Sequence, residues 1–302
     1  MKTISVNSPA VRQRGFTLVE AIVVMVITGV LAGVMVLFIR QPVRNYANAS
    51  ARADMADAAD LALRRMVREL HSALPNSVRL TVSGGISLLE FIPTKAGGQY
   101  LDVSDNGNAS SVPLSFTDAN VKTFNVVGPM PAAPYAIAAT TDYIVVYNLG
   151  PGYAGADAYV GSNRAKVSGV GINSVSLVAN PFVPGAGVVA NASPGHRFQV
   201  VTSPVTFRCT DNVSGGGTLT RYTGYGFNGA QIDPAALPAS SGVTGALLAK
   251  GVLACSFSVD QAANRHSGLI GLSIALARSG AGTANDLETM TLTHQIHTDN
   301  TP

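Results

Sequence analysis

The chain of 302 residues is 47% hydrophobic and only 12% charged, with 31 glycines, which is enough length for a membrane helix and one or two packed domains. Its formal charge of +3 resides in residues 1–15, where Lys2, Arg12 and Arg14 meet no acid; beyond Gly15, 17 basic groups balance 17 acidic ones. A neutral body without a basic cluster argues against nucleic acid as the main partner, and few charges among many glycines point to a β-rich exported domain.

From Phe16 to Ile39 the only polar side chains are Thr17, Glu20 and Thr28. At about 1.5 Å per residue this run can cross a hydrocarbon core of about 30 Å. A secretory signal has a shorter apolar core and a small-residue cleavage site close behind it; here Ala47-Asn48-Ala49 lies beyond Arg40, Pro42 and Arg44. Signal cleavage there and an uncleaved single-span anchor are the alternatives to a more specific reading. Glu20 favours the specific one, because an ionised carboxylate at the centre of a membrane helix costs on the order of 2.5–3.5 kcal/mol. No Lys, Arg or His lies between Phe16 and Ile39. The partner must therefore be another chain, lipid headgroups, or a new amine made by cutting after Gly15, and Phe16 and Glu20 sit one helical turn apart. Gly29 and Gly33, with Ala32 beside them, form a Gly-x-x-x-Gly pair that permits close helix approach, although glycine is common in membrane helices generally. Lys2, Arg12 and Arg14 before the span against Arg40, Arg44 and Arg52 after it leave the charge rule for orientation undecided.

The helix is expected to continue past the membrane, since Met55, Ala59, Leu63, Met66, Val67, Leu70 and Leu74 recur at three- and four-residue steps. Leu74-Pro75 is the expected end, and Pro42 an expected kink or break. The opposite face carries Asp54, Asp57, Asp60, Arg64, Arg65, Arg68 and Glu69. That face is either solvated, with Asp60 pairing to Arg64 and Asp57 to Arg64 or Arg65, or one on which Arg64, Arg65 and Arg68 meet acids of a neighbouring subunit.

After Pro75 the pattern changes to short β-branched runs between Gly, Pro, Asn and Ser. Residues 78–82 and 86–92 flank Gly84-Gly85 and predict a hairpin. Further strands are expected over 121–127, 142–147, 175–178, 198–201, 205–208, 218–222, 247–259, 269–276 and 289–297, forming a sheet on which the helix packs its apolar stripe. Residues 97–115, 128–139, 181–195 and 234–245 read as loops. Cys209 and Cys255 are the only cysteines; an even pair in an exported chain points to a disulfide, with two buried thiols as the alternative.

Patterns that carry catalysis are missing: no His-Glu-x-x-His, Gly-x-Ser-x-Gly, phosphate loop or Cys-x-x-Cys occurs. No enzyme, no cofactor and no metal site is therefore expected. His294 and His297 would fall on opposite faces of one strand. Asp102, Asp105, Asn106 and Asn108 around Gly107 have a composition calcium can use, but lack the EF-hand spacing and read as an Asx-rich turn. Tyr222, Tyr225 and Phe227 among glycines are either an exposed contact patch or buried strand aromatics.

The run Gly15-Phe16-Thr17-Leu18-Val19-Glu20 resembles the signal of type IV pilins and type II secretion pseudopilins. The stretches 38–43, 58–66 and 74–79 and the ending 294–300 resemble, more narrowly, minor pilins of the MSHA kind, which are akin to the J-type pseudopilin of type II secretion. The resemblance implies an α+β fold, with a long N-terminal helix packed on an antiparallel sheet domain. It implies a leader over 1–15, a membrane and assembly helix over 16–40, an amphipathic continuation over 41–75 and a periplasmic domain over 76–302. In such proteins a prepilin peptidase cuts after the residue matched by Gly15 and methylates the one matched by Phe16. The acid matched by Glu20 pairs with the N-terminal amine of an adjacent subunit. The implied partners are that peptidase, other minor pilins or pseudopilins, the major pilin and inner-membrane lipid, with the N-terminus cytoplasmic and the final location a pilus, at its tip. The alternatives are a type II secretion pseudopilin and a tip adhesin or DNA-contact module.

Overall fold

The computed structural model describes residues 15–105, 111–188, 190–260, 267–279 and 287–301. A single helix, α1 (Leu18–Leu70), runs for 53 residues, about 80 Å. Its buried residues begin only at Ala51 and continue as Met55, Ala59, Ala62, Leu63, Met66 and Leu70, the three- and four-residue steps of one packed face. This is the expected stripe, with Val67 at its margin. Pro42 lies inside the helix without ending it. The helix stops at Leu70, short of the expected Leu74-Pro75. The His71 N–H still reaches the Val67 carbonyl at 3.0 Å, the Ser72 hydroxyl donates to the Glu69 carbonyl at 2.7 Å, and the Leu74 N–H has already turned to the Ile92 carbonyl at 2.7 Å. Pairing with the sheet thus claims the chain before the proline can.

The expected hairpin is present: β1 (Arg79–Ser83) pairs antiparallel with β2 (Ile86–Phe91). Gly84 and Gly85 between them have φ of 58° and 75°, the left-handed pair that a two-residue hairpin turn with matching twist requires. Then come β3 (Thr94–Tyr100), β4 (Thr123–Val127), β5 (Tyr143–Val145), β6 (Arg164–Val170), β7 (Ser174–Leu177) and β8 (Arg197–Val201). They are followed by β9 (Val205–Thr210), β10 (Gly217–Thr223), β11 (Thr244–Asp260), β12 (Ser267–Ser279) and β13 (Leu287–Asp299). All were expected within a few residues except β3 and β6. The glycines that make β3 read as a loop are a packing requirement, because a Cβ on Gly98 would stand 2.6 Å from Cζ of the buried Phe198 ring. In β6 only Ala165 and Val167 are buried, too weak an alternation to register.

The strands form two bodies rather than one sheet. Seven make an antiparallel sheet in the order β1-β2-β9-β10-β11-β12-β13, and six close into a barrel in the order β3-β4-β7-β6-β5-β8. The barrel is an insertion: the chain leaves the sheet after β2, builds β3 to β8, and returns at β9, which pairs directly with β2. The sheet's helix-facing core joins Leu63, Met66 and Leu70 to Leu89, Phe207, Leu219 and Ile274. The barrel has its own core around Phe124, Ile144, Val167 and Phe198.

A third cluster, Leu74, Ile92, Val145, Tyr159 and Val201, fills the seam. Beside it Arg79 binds the fully buried Glu90 at 2.7 Å and lies 3.6 Å over the Tyr159 ring. The Tyr225 hydroxyl donates to Glu90 at 3.0 Å, and the Tyr159 hydroxyl donates to the Ser77 carbonyl at 2.8 Å. Burial pushes the Glu90 carboxyl up against the opposing pull of Arg79. Tyr225 is buried and Phe227 packs edge-on to Tyr143 at 5.0 Å, so these aromatics form internal contacts and not an exposed patch.

Candidate functional site

The N-terminal signal lies at the start of α1. Thr17 is the N-cap: its backbone is extended and its hydroxyl accepts from the Glu20 N–H at 3.3 Å, satisfying one of the free donors of the first turn. The Ala21 N–H closes the first turn on the Thr17 carbonyl at 3.2 Å. Glu20 is the acid of that turn, where a negative charge complements the helix dipole. Phe16 is exposed, at 72% of its surface, one turn from Glu20.

The apolar run behind it has nothing to bury against among the described residues. Leu18, Met25, Leu31, Leu37 and Phe38 all expose 60% of their surface or more, and the most apolar window of the helix is wholly unburied. A Cβ built on Gly29 or Gly33 would meet no atom within 4 Å, so among the described residues the notch they form is open. Thr28 is satisfied internally, its hydroxyl donating to the Val24 carbonyl at 2.7 Å. Length and composition suffice to cross a membrane.

Where the exposed half gives way to the packed half, two ion pairs tie α1 to the sheet. Arg52 meets Glu288 at 2.7 Å, and Arg278 meets Asp54 at 3.1 Å. The hydrogen bond from Arg52 holds the Glu288 carboxyl below its ordinary range. Further along, Arg64 pairs with Asp60 at 2.6 Å as one of the expected options, while Arg65 pairs with Glu69, which also takes Arg221 of β10 at 2.7 Å.

The remaining candidates lie far from the helix start. Cys209 and Cys255 form a disulfide with Cα atoms 6.4 Å apart. The segment after β9 brings them together: the Asn212 N–H donates to the Leu253 carbonyl at 3.2 Å and the Cys255 N–H to Asp211 Oδ1 at 2.9 Å. Closing this loop contributes about 4 kcal/mol in the chain-entropy account. Asp211 is the third member of that cluster, but both sulfurs are consumed by the bridge. His294 and His297 do face opposite sides of β13, one half-buried and one exposed. Asp102 accepts from the Ser104 hydroxyl at 2.7 Å and lies 3.6 Å from His196, which is 3.4 Å from Asp105. Asn106, Gly107 and Asn108 lie outside the described residues. Sequence reasoning missed His196 in this trio and the whole Arg79–Glu90–Tyr225 network, whose members are joined by strand register and long-range packing.

Comparison with known proteins is confined to the helix start. The prokaryotic N-terminal methylation motif matches residues 11–36. No curated protein and no solved structure matches the chain. The match takes in Gly15, the capped first turn, Glu20 and the apolar run of α1 as far as Val36, so the start of this chain is similar to an N-terminal methylation motif.

Proposed function

We propose that the protein is a minor pilin, made as an inner-membrane precursor, cut after Gly15, methylated on Phe16 and drawn into a helical bundle with other pilin-like subunits. The observation that carries this reading is the unburied apolar half of α1 with one acid near its start. A carboxylate in hydrocarbon needs a cationic partner, and cleavage would free an ammonium at the helix start of each pilin-like subunit, at Phe16 in this chain. Glu20 would pair with that ammonium, and the open Gly29–Gly33 notch would accept an adjacent helix. Once bundled, the apolar surface left bare by this chain is covered by its neighbours and by lipid.

Within that class, the stretches 38–43, 58–66, 74–79 and 294–300 resemble the MSHA pilus biogenesis protein MshO and support a role in priming or capping a pilus of that type. A sheet domain enlarged by an inserted barrel would crowd a repeating shaft, which favours a low-copy place at the tip. The prepilin peptidase and the other pilins are the proposed partners, and the domain beyond the membrane is proposed to be periplasmic before assembly.

N-terminal sequencing and intact mass of the native protein test the reading. The expected result is a chain beginning at N-methylated Phe16, with Gly15→Ala blocking cleavage and Glu20→Ala allowing cleavage but failing to assemble. A mature chain beginning at Met1, or a Glu20→Ala protein that assembles normally, overturns it.

A further inference from the structure

Beside the packed half of α1 lies a groove of about 540 Å³ between the helix and β11. Its apolar surface comes from Leu61, Leu247 and Leu248, and its charged wall from Arg64, Arg65 and Arg68 with Glu69 as the one acid among them. Leu61 and Leu247 expose 69% and 48% of their surface on either side of the cleft.

The charges around the groove do not balance. Asp60 serves Arg64, and Glu69 serves both Arg65 and Arg221, while Arg68 has no ion-pair partner among the described residues. Four arginines thus share two carboxylates. Membrane headgroups do not supply the missing charge: Arg64 lies 24 residues beyond Arg40 along one unbroken helix, about 36 Å from the end of the apolar run.

The same place offers backbone as well as charge. β10 pairs with β11 from Thr244 to Val252, whereas β12 joins β11 only from Val252 onward. Along residues 244–251 no strand is paired with the second side of β11 among the described residues, and only the end of β12, Ala277–Ser279, passes beside it at Gly251. Gly251, at φ 75°, marks the split, where a Cβ would stand 2.9 Å from the Ala277 carbonyl. Such an edge is a template for an added strand, and it meets the arginine wall at Leu247 and Leu248.

Resting on the pilin-like reading above, we infer that this groove receives an extended acidic segment of a neighbouring pilin-like subunit. The segment adds to the open edge of β11, sets apolar side chains against Leu61 and Leu247, and places carboxylates against Arg64 and Arg68. Its surplus negative charge complements the surplus positive charge of the groove, which sets register and partner choice.

The test places a benzoylphenylalanine crosslinker at Leu247 of the full-length chain, expressed in membranes with the other pilin-like subunits, and a control crosslinker at the exposed Ile172. The expected result is a crosslink from position 247 to an Asp- or Glu-bearing extended segment of a subunit that carries the same methylation motif. Combined Arg64→Glu and Arg68→Glu should lower its yield about tenfold, the loss of roughly 1.4 kcal/mol of pairing. A reciprocal acid-to-lysine change in the captured segment should restore the yield, and this rescue keeps the test valid if the double variant is itself less stable. No crosslink at 247, a yield indifferent to the reversal, or capture of lipid or nucleic acid overturns the inference. N-terminal sequencing of the same sample separates the two readings: a Phe16 start without the crosslink sinks only the groove, and a Met1 start sinks the pilin-like reading along with it.

Discussion

The two halves of α1 obey the same local rules and meet opposite fates. Residues 18–39 are apolar nearly all round, residues 40–50 are mixed, and none of them is buried, whereas residues 51–70 are amphipathic and bury seven side chains, six of them in the core of the sheet. A helix apolar on every face has no water-compatible side to present, and among the described residues nothing covers it. The amphipathic half has its burial completed by β11, β12 and β13. Stability of the globular body and capacity for assembly are therefore carried by separate stretches of one continuous helix.

Separation of this kind is open to disruption. The largest expected effect is at Leu63, which is fully buried: Leu63→Ala should cost the sheet domain about 2–5 kcal/mol. Leu31→Ala, in the exposed half, should leave that unfolding transition where it is. Urea unfolding of the detergent-solubilised chain measures both, and equal losses would erase the distinction between the halves. Next is the disulfide. Reduction of Cys209–Cys255 should lower stability by about 3–4 kcal/mol while the helicity of residues 18–50 in micelles persists, a difference seen by following unfolding with and without reductant.

A smaller effect concerns the seam. Glu90 is raised above its ordinary value of 4.5, first by burial, with Arg79 and Tyr225 pulling the other way. In the folded state the proton is held more tightly than in the unfolded chain, so the contribution of Glu90 is greatest below about 4.5 and declines as pH rises through its raised folded value. Melting temperatures of the wild type and Glu90→Gln measured across that range should shift steadily in favour of the glutamine variant as pH increases; a gap that is constant with pH would contradict the burial-driven shift. The smallest effect lies at the boundary of the halves. Arg52→Ala removes an exposed pair with Glu288, and such pairs contribute little, so the melting temperature should hardly move. A large drop there would mean that ions, not apolar packing, decide where the helix begins to be held.

The candidate site was legible because it is local. Gly15, Phe16 and Glu20 lie within two helical turns, and the cost of an unpaired acid in an apolar run can be reckoned from spacing alone. The hairpin at Gly84-Gly85 was legible for the same reason. The groove was not, since Leu61 and Leu247 are far apart in the chain and become neighbours only when α1 crosses β11.

By itself, the order of residues determined the exposed apolar helix, its amphipathic continuation, the pairing-competent cysteines and most of the strands, because each of these follows from periodicity or chemistry within a few residues. Tertiary structure alone decided that β3 to β8 leave the sheet and close on themselves, that the glycines of β3 make room for Phe198, and that Glu90 is sealed with Arg79 at the seam. Those outcomes depend on which surfaces find each other across long stretches of chain. No short-range pattern specifies such a choice, because it is made by the total burial of apolar area and not by any one segment's preference.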